Sequence, residues 1–168
     1  MKKIGLVLLA AVFVFGVSSK AFAIEKFAYV DLGKSFSEYK KTVDYDKIMS
    51  DKEASFKSEL TKKSDELKAL QEKISLLSDK DKEAKGADFK NKVSAFKEYE
   101  DGRMQDLRKE HDEKMKEIFK DIEDTVKKYS EAQGYTFVFD DRILVYKASG
   151  YDITAKIIED LNKNYKGK

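Results

Sequence analysis

His111 is the only histidine in the chain, and histidine is the one ordinary side chain whose charge changes near neutral pH. It could serve as a pH switch or a metal ligand. It lies on a helical stripe opposite Glu53, and no cysteine exists to complete a ligand set, so its expected role is a structural polar pair. Asp140 and Asp141 are adjacent carboxylates that could do acid–base work. Adjacent residues in a tight turn face apart and cap it, which is the reading adopted for them. With its single histidine remote from these aspartates, the chain offers no Ser-His-Asp arrangement. No glycine-rich phosphate loop is present. The many lysines and glutamates are evenly mixed, as on solvated helix faces, and form no basic patch suited to nucleic acid. No catalytic residue, metal ligand or cofactor site is expected, and the chain does not read as an enzyme.

The polar pairs depend on the helices that carry them. From 89 to 129 the residues Phe89, Val93, Phe96, Glu100, Met104, Leu107, His111, Met115, Ile118, Ile122, Val126 and Tyr129 recur at steps of three and four. That spacing is one face of a long helix. Its repeat of 11 residues predicts a nearly straight or slightly right-handed stripe. A second stripe, Met49, Glu53, Phe56, Leu60, Lys63, Leu67, Leu70, Ile74 and Leu77, follows a heptad. Folded back on each other about residue 82, the stripes place Lys63 opposite Glu100 and Glu53 opposite His111. Matched polar interruptions predict an antiparallel helical hairpin in one register.

The chain opens as an export signal. Lys2 and Lys3 precede an apolar run, and Ala21-Phe22-Ala23 supplies small residues where a signal peptidase cuts. Cleavage after Ala23 removes Lys2, Lys3 and Lys20, so 31 basic and 32 acidic side chains remain and the net charge becomes −1. That balance argues against a lipopolysaccharide or membrane-surface role. Without cysteine, export brings no disulfides. Without proline, nothing interrupts a helix between 44 and 133 except a turn near 78–88 containing Gly86.

Both ends supply a small head, residues 24–43 and 134–168, with the arm 44–133 between them. Phe27-Ala-Tyr-Val-Asp-Leu32 reads as a strand, and 34–42 as a short helix. Tyr135-Thr-Phe-Val-Phe139 and Ile143-Leu-Val-Tyr146 read as a β-hairpin around Asp140-Asp-Arg142. Asp152 is placed to cap a last helix carrying Ile153, Ile157, Ile158 and Leu161. The fold class is thus α+β and helix-dominated, a three-stranded head with two short helices and a long hairpin arm. Ile118, Ile122, Val126 and Tyr129 overshoot the first arm helix and should root the arm in the head. So thin a sheet has exposed edges, which predicts self-association. Phe27, Tyr29, Ile48, Phe119, Phe137 and Phe139 are the expected contacts between copies. Leu76 and Tyr99, off the stripes, are expected to face a partner.

Phe27-Ala-Tyr-Val-Asp-Leu-Gly33, the charged helices, Tyr135-Thr-Phe-Val-Phe-Asp140, the segment from Ile143 to Tyr146, and Tyr151-Asp-Ile-Thr154 with Ile157, Ile158, Leu161 and Asn162 together resemble the Skp/OmpH family of periplasmic chaperones. The resemblance spans the whole mature chain. It implies a homotrimer with a β hub, from which three helical arms surround a cavity. It further implies a periplasmic holdase of a Gram-negative cell that binds unfolded outer-membrane β-barrel proteins without ATP. The alternative is a structural or adaptor coiled coil that bridges components of the cell envelope.

Overall fold

The computed structural model describes residues 25–167; the expected signal peptide lies outside them. The elements run β1 (Phe27–Val30), α1 (Leu32–Glu38), α2 (Lys40–Ser75), α3 (Asp79–Gln133), β2 (Phe137–Asp140) and α4 (Thr154–Asn164), with single 3-10 turns at Asp141–Ile143 and Ser149–Tyr151. Among the described residues no helix is long and apolar enough to cross a membrane.

Local chemistry sets the boundaries. Asp31 caps α1, its carboxylate accepting the Lys34 N–H at 2.7 Å. Tyr39 is extended, at φ −71° and ψ 120°, and separates α1 from α2. The helix that leads into the arm therefore begins at Lys40, within the stretch 24–43 expected for the head. At about 1.5 Å per residue, α2 is about 54 Å long and α3 about 82 Å. The turn between them is residues 76–78, shorter and earlier than the expected 78–88. Ser78 caps α3 by accepting the Asp81 N–H, and Asp79 and Asp81 sit favourably at the positive end of the helix dipole. Gly86 lies inside α3, where a single glycine costs about 1 kcal/mol against Ala and cannot stop a helix with so strong a start. Gly134 does stop it. Its φ of 69° is the left-handed conformation, and the following Tyr135 N–H reaches back to the Ser130 carbonyl at 3.0 Å.

The sheet has two parallel strands, with Phe27 opposite Phe137 and Val30 opposite Asp140. The other edge of β1 is closed by the chain leading into α4: the Ile153 N–H bonds the Tyr29 carbonyl at 3.0 Å, and the Asp31 N–H bonds Thr154 Oγ1 at 2.9 Å. The expected third strand at residues 143–146 does not form, and neither does the β-hairpin. Asp140 accepts both the backbone N–H and the guanidinium of Arg142, which winds the chain into a 3-10 turn, and Lys147 pairs back to Asp141. Within one copy the segment has no free strand to pair with on β1, and the Val145 side chain is wholly exposed. The β-propensity of Ile-Leu-Val-Tyr is a preference for a packed surface, and a single chain supplies none here.

The core lies in the head and the root of the arm. Ile118, Ile122, Ile157 and Leu161 are at most 2% exposed, and Ala28, Val30 and Ile153 join them. Val126 and Tyr129 pack against this cluster, so the far end of α3 is rooted in the head. Farther out, Tyr45, Met49, Phe56 and Leu107 are the last buried side chains of the arm.

The seam of α3 departs from the 11-residue stripe. Its covered positions between 96 and 114 are Phe96, Tyr99, Glu100, Arg103, Leu107, Glu110 and Lys114, and apart from Tyr99 they fall at steps of four and three. Met104 and His111 fall outside it and are exposed. Two helices that stay in contact over many turns must keep a 3.5-residue seam, and α3 adopts the heptad of its partner. Long charged side chains serve at these positions because their methylene stems cover the seam while their heads reach water.

Candidate functional site

Three surfaces carry the groups that could act on another molecule: the outer face of the sheet, the root of the arm, and the arm itself. Alternation along the strands puts Ala28, Val30 and Val138 toward the helices and leaves the aromatic residues of β1 and β2 on the opposite face. There Phe27, Phe137 and Phe139 stack with ring centroids 5.8 to 6.4 Å apart. Phe27 and Phe137 remain 40% and 51% exposed. Tyr29, on the same face, is covered by the 144–151 segment, with the Lys147 ammonium 5.2 Å from its ring. Ile143, Val145 and Tyr146 extend this exposed apolar area beside the strands.

The root is tied by a polar network that the sequence did not single out. Asn162 on α4 bridges the break between α1 and α2: its Oδ1 accepts the Lys40 N–H at 2.7 Å and its Nδ2 donates to the Glu38 carbonyl at 3.1 Å. Between these two contacts, the Tyr39 hydroxyl donates to Asp121 at 3.1 Å and its ring packs edge-on against Tyr165. Lys41 reaches Asp121 at 2.6 Å and Glu117 at 2.5 Å, and Lys114 also pairs with Glu117. Hydrogen bonds from Lys114 and then Lys41 pull the Glu117 carboxyl down to about 2. Burial, then the charge of Asp121, pushes the Tyr39 phenol up to about 12. Burial works against charge on Lys41, but the hydrogen bonds it donates to the Asp121 and Glu117 carboxylates outweigh it and hold its pKa above the usual lysine value. The only local hint of this network in the sequence is Asn162 interrupting an otherwise apolar face of α4 between Leu161 and Tyr165.

The expected contact residues divide between these surfaces. Phe119 stacks on Phe36 at 5.1 Å across α1 and α3 and stays 46% exposed. Ile48 is exposed on α2 beside Lys52 and Glu110. Lys63 and His111 have aromatic neighbours other than the partners expected for them. The Lys63 ammonium sits 4.7 Å over the Tyr99 ring, next to Glu100. The His111 ring tilts against Tyr45, 6.3 Å between centroids. Among the described residues neither Lys63 with Glu100 nor Glu53 with His111 closes to an ion pair; the arms are bridged by Lys52 and Glu110 at 2.5 Å. Tyr99 does not face outward. It is half-buried in the seam, its ring 6.3 Å from Phe56 and its hydroxyl bonded to Glu59. The heptad seam turns position 99 inward, where the 11-residue stripe had left it outside. Leu76 is 87% exposed at the arm tip.

Among the described residues no three His, Cys, Asp or Glu side chains converge on a metal site. What these surfaces offer is an aromatic sheet face, a pinned root and a long charged arm.

Comparison with known proteins bears on what such contacts serve. The family described as Outer membrane protein (OmpH-like) matches residues 26–161. Among solved structures, a candidate outer membrane chaperone (OmpH-like) from Caulobacter crescentus CB15 superposes with a TM-score of 0.76. It shares 15% identity, and the match covers 87% of this chain and 89% of that one. At that identity the likeness is one of fold. No curated protein matches this sequence.

Proposed function

Because this chain belongs to the OmpH-like outer membrane protein family, we propose that it is a periplasmic holdase chaperone that binds unfolded outer-membrane β-barrel proteins without ATP. The observation that carries the proposal is the pairing of a small head with an arm whose second helix is 55 residues long. An unfolded β-rich chain fails by pairing its exposed strand edges with other chains. Long arms around it prevent that by occupying the surrounding volume, and many weak contacts hold the client without fixing its shape. Release then needs no nucleotide, only a downstream state that binds the client more favourably.

The enclosure needs more than one arm. The exposed faces of Phe27, Phe137 and Phe139 and the unpaired 143–146 segment are the surfaces that would join copies. The proposed assembly is a homotrimer in which residues 143–146 gain the strand partner that one copy lacks. The head is then residues 24–43 and 134–168, and the tentacle is the rest of the mature chain.

The test is dilution of a urea-unfolded outer-membrane β-barrel protein into buffer with the mature protein at one trimer per client. Light scattering should stay near baseline, and the client should remain open to added protease. Unchanged aggregation would refute the holdase reading.

A further inference from the structure

Outside the head the arm is not uniform. From 57 to 106 no side chain is buried, and the seam residues Leu60, Leu67, Leu70, Ile74, Phe89 and Phe96 are only half-covered. Between the helices a groove of about 490 Å³ opens, floored by Leu67, Leu70, Ala95, Phe96 and Tyr99 and rimmed by Lys63, Lys92 and Glu66. Neither rim lysine has an ion-pair partner among the described residues; Lys63 is held instead over the Tyr99 ring.

Charge changes sign along the arm. Residues 60–97 carry ten basic and seven acidic side chains, whereas 40–59 and 98–133 together carry thirteen basic and seventeen acidic. The outer arm is therefore positive relative to the root, and the apolar groove lies in the positive part. The net charge of −1 expected for the mature chain conceals this polarity.

Resting on the holdase reading, we infer that this groove is the arm's gripping site and selects extended client segments in which an apolar side chain stands beside a carboxylate. The apolar side chain enters between Leu67, Leu70 and Phe96, and Lys63 and Lys92 take the flanking Asp or Glu. Tyr99 sets this up by fixing Lys63 at the rim. A second copy is a poorer occupant. In a two-fold contact the same patch meets itself, and the lysines of one groove would face those of the other.

The test uses the mature full-length protein and two 12-residue peptides that alternate Phe or Val with Asp in one and with Lys in the other. Each carries a photo-crosslinking phenylalanine analogue and a fluorophore. At low salt the Asp peptide should bind tighter by about tenfold, the scale of two exposed ion pairs. The difference should shrink at 0.5 M salt, where the screening length drops below about 5 Å. The double variant Lys63→Glu, Lys92→Glu should reverse the preference, and crosslinks should fall within 63–70 and 92–99. Both lysines are exposed, so circular dichroism should show the variant folded. Equal binding of the two peptides, indifference to the charge reversal, or crosslinks confined to the head would each overturn the inference. Wild-type protein that suppresses client aggregation while showing one of these results loses the groove and keeps the holdase reading; failure to suppress aggregation removes both.

Discussion

Asn162 is a short polar side chain that holds two helices at once, by accepting from Lys40 N and donating to the Glu38 carbonyl. Asn162→Ala leaves both backbone groups to water and should cost about 1–2 kcal/mol, read as a lowered thermal midpoint, with Asn164→Ala, at the exposed end of the same helix, as the nearly neutral comparison. The neighbouring network makes stability depend on pH in two windows. Glu117 is depressed in the folded chain, so its contribution is complete above the ordinary carboxyl value of 4.5 and is lost as pH falls toward about 2. Tyr39 is raised, so its contribution is complete below 10.0 and is lost as pH climbs through about 12. Urea midpoints measured across both windows should fall at each end. Glu117→Gln should flatten the acid limb and Tyr39→Phe the alkaline one; limbs unchanged by these substitutions would show that other groups set them.

The two arm helices, their antiparallel order and the rooting of Ile118 and Ile122 could be read from apolar spacing alone, because burial of a stripe is a local, periodic requirement. The choice between two overlapping stripes on α3 could not. Both the 11-residue and the heptad rows contain Phe96 and Leu107, and only contact with α2 decides whether 104 and 111 or 103 and 110 turn inward. For the same reason Tyr99 was legible as an aromatic residue on the arm, but not as part of its seam. The strand expected at residues 143–146 failed differently: its composition asks for a sheet neighbour that one copy does not contain. Packing along the arm should follow the heptad. Phe56→Ala, in the last buried layer, should cost about 3–4 kcal/mol, whereas Val93→Ala, on the exposed part of the old stripe, should cost less than about 1 kcal/mol. Chemical denaturation of the two variants distinguishes the seams, since an 11-residue seam would make Val93 costly as well.

Taken as one body, the chain is a head with an unsatisfied apolar face and an arm with an open outer seam, two liabilities for an isolated monomer that the proposed assembly uses. Phe27→Asp with Phe137→Asp puts charges on the stacked face while sparing Ala28 and Val30, so it should leave helix content intact and reduce the light-scattering mass to that of one chain. A trimer unaffected by this pair would place the interface elsewhere. The parallel pairing of β1 with β2 has a further consequence, one of time. Phe27 meets Phe137 across 110 residues of sequence, and the joint at Tyr39 is fastened by α4, the final helix. In the proposed export and assembly, the arm can wind as it emerges, since its contacts are between neighbouring helices, but the head closes only once nearly the whole chain is out. Joining of copies would then wait for that closure, and chains threaded out one after another would not assemble around their own unfinished tails.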